Sequence, residues 1–166
     1  PLTALTLDYL ALYAELKETQ EGIDFDDMEH FAYQILTAEN KLAAKRYQER
    51  FDEIMVDEFQ DSNDLQNAII NLISRGANIF RVGDVKQSIY RFRGGKPQIM
   101  RDLMNDVRPE NCFIHLSSNY RSKQMIVDFN NDLFLRLMNI PGCSDQYTDH
   151  DCVKTGAPAQ KQDNYP

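Results

Sequence analysis

The sequence predicts an α/β fold built on a parallel sheet, and three observations carry that expectation. Short apolar runs at Ile54-Met55-Val56, Asn78-Ile79-Phe80-Arg81-Val82 and Cys112-Phe113-Ile114-His115-Leu116 read as buried strands. Between and after them lie stretches with apolar residues at three- and four-residue steps, the period of a helix with one buried face. Strand and helix in alternation imply parallel neighbours, whose C-terminal ends share one sheet edge. Each run ends in a polar cluster, and that edge is where open α/β sheets bind ligands.

The elements follow in order. Leu2, Leu5, Tyr9, Leu12, Tyr13 and Leu16 predict a first amphipathic helix, ended at Glu21-Gly22. Asp26 followed by Glu29 resembles a capping box for a second helix with Met28, Phe31, Ala32 and Ile35 inward, and the acids Asp24, Asp26 and Asp27 suit a helix N-terminus. Asn40 to Arg50 reads as a polar helical connector. Asp61-Ser62-Asn63-Asp64 caps a helix carrying Leu65, Ala68, Ile69, Leu72 and Ile73 on one face, closed by Arg75-Gly76. Pro97 opens a helix to about Asp106, and Lys123 to Met138 is a long helix with Ile126, Phe129, Leu133 and Leu137 inward. The expected organisation is a helical segment over 1–50, an α/β core over 51–140 and an irregular tail over 141–166.

Composition narrows the class. With 166 residues, 42% of them hydrophobic, the chain can bury one core. No run approaches the roughly 20 apolar residues of a membrane span and no signal segment opens the chain, so a soluble, cytoplasmic protein without a membrane partner is expected. Cys112, Cys143 and Cys152 lack metal-ligand spacing and read as free thiols of a reducing compartment. The net charge of −8 argues against nucleic acid until the basic residues are located. Arg81, Lys86, Arg91, Arg93, Lys96 and Arg101 fall in one stretch with a single acid, Asp84, and are interleaved with Tyr90 and Phe92. Cations for phosphates beside flat faces for bases are what single-stranded DNA contacts need.

The polar clusters carry the chemistry. The first is Asp57-Glu58-Phe59-Gln60-Asp61, the second Gly83-Asp84-Val85-Lys86-Gln87-Ser88-Ile89-Tyr90-Arg91-Phe92-Arg93-Gly94-Gly95, the third Leu116-Ser117-Ser118-Asn119-Tyr120-Arg121-Ser122. In this order they resemble motifs II, III and IV of the superfamily 1 DNA helicases, the group of UvrD, Rep and RecB. Ile23-Asp24-Phe25-Asp26-Asp27-Met28-Glu29-His30 resembles the segment that precedes motif II there. The second cluster looks most like that of the ATP-dependent helicase/nuclease group called AddA or RexA, although Gly94-Gly95-Lys96-Pro97 departs from that group's Leu-Ala-Glu-Pro.

The resemblance implies a partial RecA-like (P-loop NTPase) motor core with a helical N-terminal portion, and ATP and Mg²⁺ as its ligands. By it, Asp57 matches the Mg²⁺-binding acid and Glu58 the residue that positions the hydrolytic water. Gln87 matches the γ-phosphate-sensing glutamine, Arg121 the arginine that contacts that phosphate, and Tyr120 the aromatic stacked on the nucleotide base. Phe92 and Arg93, with Tyr90 beside them, match DNA contacts. The implied parent couples ATP hydrolysis to translocation on single-stranded DNA in double-strand break repair and recombination, meets double-stranded DNA, and pairs with a second subunit of a helicase/nuclease. No GxxxxGK[ST] phosphate loop occurs in the chain, and Gly94-Gly95-Lys96 lacks its leading glycine and its Ser/Thr. An excised, inactive segment of a first motor domain is therefore expected. The alternative is a non-catalytic DNA-binding or subunit-interaction module on a helicase-like fold.

Overall fold

The computed structural model describes residues 1–106, 108–143 and 146–156. Two compact units result, Pro1–Asn111 and one that begins at Cys112. The architecture is α/β with small parallel sheets.

The first unit opens with α1 (Leu2–Thr19) and α2 (Phe25–Thr37). The stripe expected to be buried on α1 is exposed instead, with Leu5 and Leu12 both at 66%. Leu7 and Leu10 interrupt the polar side of this helix and are exposed too, so α1 has no single apolar face. Its ordered contact is polar: Lys17 Nζ lies 3.0 Å from Asp24 Oδ2 and 2.6 Å from Asp27 Oδ2.

The capping box of α2 sits two residues earlier than the sequence pattern suggested. Asp24 Oδ1 accepts the Asp27 amide (2.9 Å) and Asp27 Oδ2 accepts the Asp24 amide (2.9 Å). The register is fixed by Lys17, which both acids share. Glu29 is thereby released from the cap. Its carboxylate turns to α4 (Asp64–Ile73), accepting Asn63 Nδ2 at 3.1 Å and Gln66 Nε2 at 2.7 Å. Leu36 is the residue buried on the same face, while Met28, Phe31 and Ile35, expected inward, are exposed. α3 (Leu42–Arg50) packs beside them through buried Ala44.

β1 (Ile54–Val56) and β2 (Ile79–Arg81) pair in parallel, Ile54 with Ile79 and Val56 with Arg81, and α4 is the crossover between them. The N-cap of α4 is Asn63, in a reciprocal box with Gln66, inside the expected cap cluster. Pairing continues past the strands, where Val82 N donates to Val56 O (2.8 Å) and Phe59 N to Val82 O (2.9 Å). The two polar clusters at the strand ends are thus adjacent. α5 (Pro97–Met104) follows with Pro97 at its first position, where no amide is needed.

The second unit corrects two expectations. Cys112 to Leu116 is no strand; Ile114 and Leu116 are 67% and 78% exposed. The pairing lies further on, between β3 (Ser118–Asn119) and β4 (Lys154–Thr155), in a parallel sheet separate from β1 and β2. Apolar composition without a partner strand does not make a strand, because the backbone groups must be paired as well as the side chains buried. The segment expected to be an irregular tail supplies that partner. On α6 (Gln124–Leu137), Asn131 accepts the Val153 amide (3.1 Å) and the Tyr147 hydroxyl (3.0 Å), and it donates to Val153 O (2.8 Å). Those bonds turn Val127 and Asn131 inward, Tyr147 is buried, and Ile126, Phe129 and Leu137 are left exposed against expectation. Residues 157–166 of the expected tail lie outside the described residues. Among the described residues no helix is long and apolar enough to cross a membrane.

Candidate functional site

β1 ends by delivering Asp57 and Glu58 to the mouth of a cavity of about 410 Å³, walled by Val56, Asp61, Ser62 and, from α4, Gln66 and Ile69. Glu58 takes the left-handed conformation (φ 48°), which costs an L-residue with a Cβ roughly 1–2 kcal/mol. Two hydrogen bonds hold it there. Its amide donates to Asp57 Oδ1 (2.9 Å) and its Oε2 accepts Gln60 Nε2 (2.7 Å).

Gln60 is the residue that pattern reading passed over. It is 1% exposed, and its side chain spans both strand ends, donating to Glu58 while Oε1 accepts the Asp84 amide at 3.1 Å. Gly83 makes room for it: a Cβ there would stand 2.5 Å from Gln60 Oε1. A polar residue in a polar cluster carries no signal of burial, and only the closeness of two parallel strand ends reveals it.

Asp84 is half-buried, which alone would raise its pKa, but bonds from Lys86 and Gln87 outweigh burial and hold it below the usual carboxylate value. Gln87 Nε2 donates to Asp84 Oδ2 (3.2 Å), so Gln87 is joined to Glu58 through Asp84 and Gln60. The structure therefore brings Asp57, Glu58 and Gln87 to one sheet edge. Tyr120 and Arg121 belong to the second unit, both exposed, after Asn119, whose Oδ1 accepts the Arg121 and Ser122 amides (2.9 and 2.8 Å).

Beyond Gln87 the chain makes a tight turn at Arg91–Arg93. Phe92 is 79% exposed, so it is no core residue of its unit, and the Arg93 guanidinium lies 5.3 Å from the Tyr90 ring and 5.7 Å from that of Phe92. Other cations of the basic stretch are engaged internally. Arg81 donates to Asn71 Oδ1 (3.0 Å) over the Phe59 ring and burial lowers its pKa, Lys86 pairs with Asp84, and Lys96 pairs with Asp64.

Asp57 and Glu58 offer carboxylate oxygens and Asp61 Oδ1 is buried with no donor reaching it, but among the described residues no three His, Cys, Asp or Glu side chains gather into a group that could hold a metal ion by themselves. All-oxygen ligands are what Mg²⁺ takes, with water completing its shell.

With this geometry in place, the comparison with known proteins is decisive. The profile of the UvrD/REP helicase N-terminal domain matches residues 1–108. The chain belongs to the UvrD/REP helicase family. Among its relatives, a Clostridium kluyveri protein, named as the A-type subunit of an ATP-dependent helicase/nuclease, is 41% identical over 94% of this chain and 14% of its own length. Relatives of the same name from Streptococcus uberis (39% identical, 96% of this chain, 13% of the relative) and Acetivibrio thermocellus (42%, 87% and 13%) agree. The chain thus spans about one seventh of the length of these helicase relatives.

Proposed function

We propose that this chain is a segment of the first, RecA-like motor domain of an ATP-dependent DNA helicase/nuclease, carrying motifs II to IV. The observation that carries the reading is the single sheet edge at which Asp57, Glu58 and Gln87 are linked through Gln60. In that role Asp57 holds Mg²⁺, which when bound neutralises the triphosphate and orients it. Glu58 accepts a proton from the attacking water or aligns it, with its carboxylate held by Gln60. Gln87, a neutral donor and acceptor tethered to Asp84, reports the γ-phosphate. On the resemblance alone, Arg121 supplies charge to that phosphate and Tyr120 stacks on the base.

The Arg91–Arg93 turn is the DNA contact, with Phe92 as stacking face and Arg93 as phosphate partner. The names of the relatives support ATP dependence, helicase and nuclease action, and a second subunit for the whole enzyme; single- and double-stranded DNA as its partners are what the resemblance implies. Cytoplasmic break repair and recombination are the setting that the resemblance implies. Because the chain lacks a phosphate loop, we expect it to show no ATPase activity by itself.

The test uses the intact enzyme that carries this segment. Asp57→Ala should abolish Mg²⁺-dependent, DNA-stimulated ATP hydrolysis at every attainable Mg²⁺ concentration. Turnover at the unsubstituted rate would remove Asp57 from the metal site and the reading with it.

A further inference from the structure

We propose that Gln60 is a positioning residue, tying Glu58 to the loop over 83–96 so that engagement of the Arg91–Arg93 turn is felt at the hydrolytic carboxylate. This rests on the reading of Glu58 as the residue that handles the attacking water. Three observations converge. First, the Gln60 side chain is buried and uses both of its ends, one on Glu58 Oε2 (2.7 Å) and one on the Asp84 amide (3.1 Å). A primary amide donates to a carboxylate at one atom and accepts a backbone amide at the other, which neither Leu nor an ionised Glu reproduces.

Second, the loop is fastened to residues 60–62 along its whole length. Asp84 N binds Gln60 Oε1 at its start, Ser88 Oγ donates to Gln60 O (3.2 Å) in its middle, and Lys96 N donates to Ser62 O (2.9 Å) at its end. Third, the fit leaves no slack. A Cβ on Gly83 would stand 2.5 Å from Gln60 Oε1, and one on buried Gly95 would stand 3.1 Å from both Asp61 O and Tyr90 O. A displacement of the turn that carries Tyr90, Phe92 and Arg93 therefore pulls on Gln60, and Gln60 moves the carboxylate it holds.

The experiment compares Gln60→Leu, Gln60→Glu and Glu58→Gln in the intact enzyme, following ATP hydrolysis with and without a single-stranded oligonucleotide. Gln60→Leu should lower the DNA-stimulated kcat about ten-fold, the scale of a lost hydrogen bond to a charged group, with KM for ATP and DNA affinity within about three-fold. Gln60→Glu should lower the stimulated kcat as well, because an ionised carboxylate cannot donate to Glu58 Oε2, whereas a packing role would tolerate a side chain of the same size. If Glu58→Gln abolishes turnover while both Gln60 variants keep the stimulated rate, Gln60 has no positioning role. If Glu58→Gln itself retains turnover, the reading of Glu58 falls instead. Should the Gln60 variants fail to fold, the unsubstituted intact enzyme still decides: a saturating single-stranded oligonucleotide must shift the Gln60 side-chain amide resonance, and an unmoved resonance overturns the proposal.

Discussion

In the proposed DNA contact Phe92 and Arg93 have separable tasks. The Phe92 ring is 79% in solvent, and the Arg93 guanidinium lies within 6 Å of the Tyr90 and Phe92 rings. In the intact enzyme, Phe92→Ala should weaken single-stranded DNA binding by about 1–3 kcal/mol at all salt concentrations, the range for one stacked base. Arg93→Ala should instead flatten the salt dependence, because one fewer phosphate is neutralised. A salt titration of both variants on one oligonucleotide separates the two effects, and equal slopes for Arg93→Ala and the unsubstituted enzyme would remove Arg93 from the backbone contact. Asp57, Glu58, Gln87, Phe92 and Arg93 were legible as residue types in ordered clusters. Gln60 was not, since its role depends on Gly83 leaving a space beside it, and no local pattern encodes a space.

At the scale of elements, the α1–α2 junction is an electrostatic lock with a defined pH window. Asp24 is held down to about 2, chiefly by the Asp27 amide and then by Lys17, and Lys17 is raised to about 12 by its bonds to Asp27 and Asp24. A carboxyl depressed in the folded state stabilises above its unfolded pKa, so the lock is complete above pH about 4 and weakens as pH falls toward about 2. The raised Lys17 stabilises below its ordinary value of 10.5, and that part is lost as pH rises through about 12. Acid titration followed by circular dichroism should therefore show helix loss between pH 4 and 2 that Asp24→Asn reduces in amplitude; an unchanged acid profile would contradict the lock. A second element test is Asn63→Ala, which removes the cap of α4 and should lower stability by about 1 kcal/mol in denaturant titration. Element types were readable from period and cap chemistry: α1 to α6, β1 and β2 all arise where the pattern put them. Faces were not. Whether Met28 or Leu36 turns inward on α2 is decided by Glu29 reaching Asn63 and Gln66, far along the sequence, and β3 needs Lys154 and Thr155, a pair too short to show a strand period.

For the whole molecule, the net charge of −8 and the basic stretch are reconciled by internal pairing. Lys86 and Lys96 pair with acids of their own unit and Arg81 donates to Asn71, while Arg91 and Arg93 stay exposed together on the turn. A narrow cationic site on an acidic body favours a partner that also offers bases to stack, as single-stranded DNA does. In the proposed role, the edge after β1 serves ATP hydrolysis in the intact enzyme. The most direct test of that role measures nucleotide binding and turnover side by side for Glu58→Gln in the intact enzyme with Mg²⁺ and single-stranded DNA. Binding should stay within about three-fold while kcat falls by roughly 10²-fold or more, the scale for removing a catalytic base. Turnover at the unsubstituted rate, with binding intact, would place the chemistry elsewhere and contradict the account.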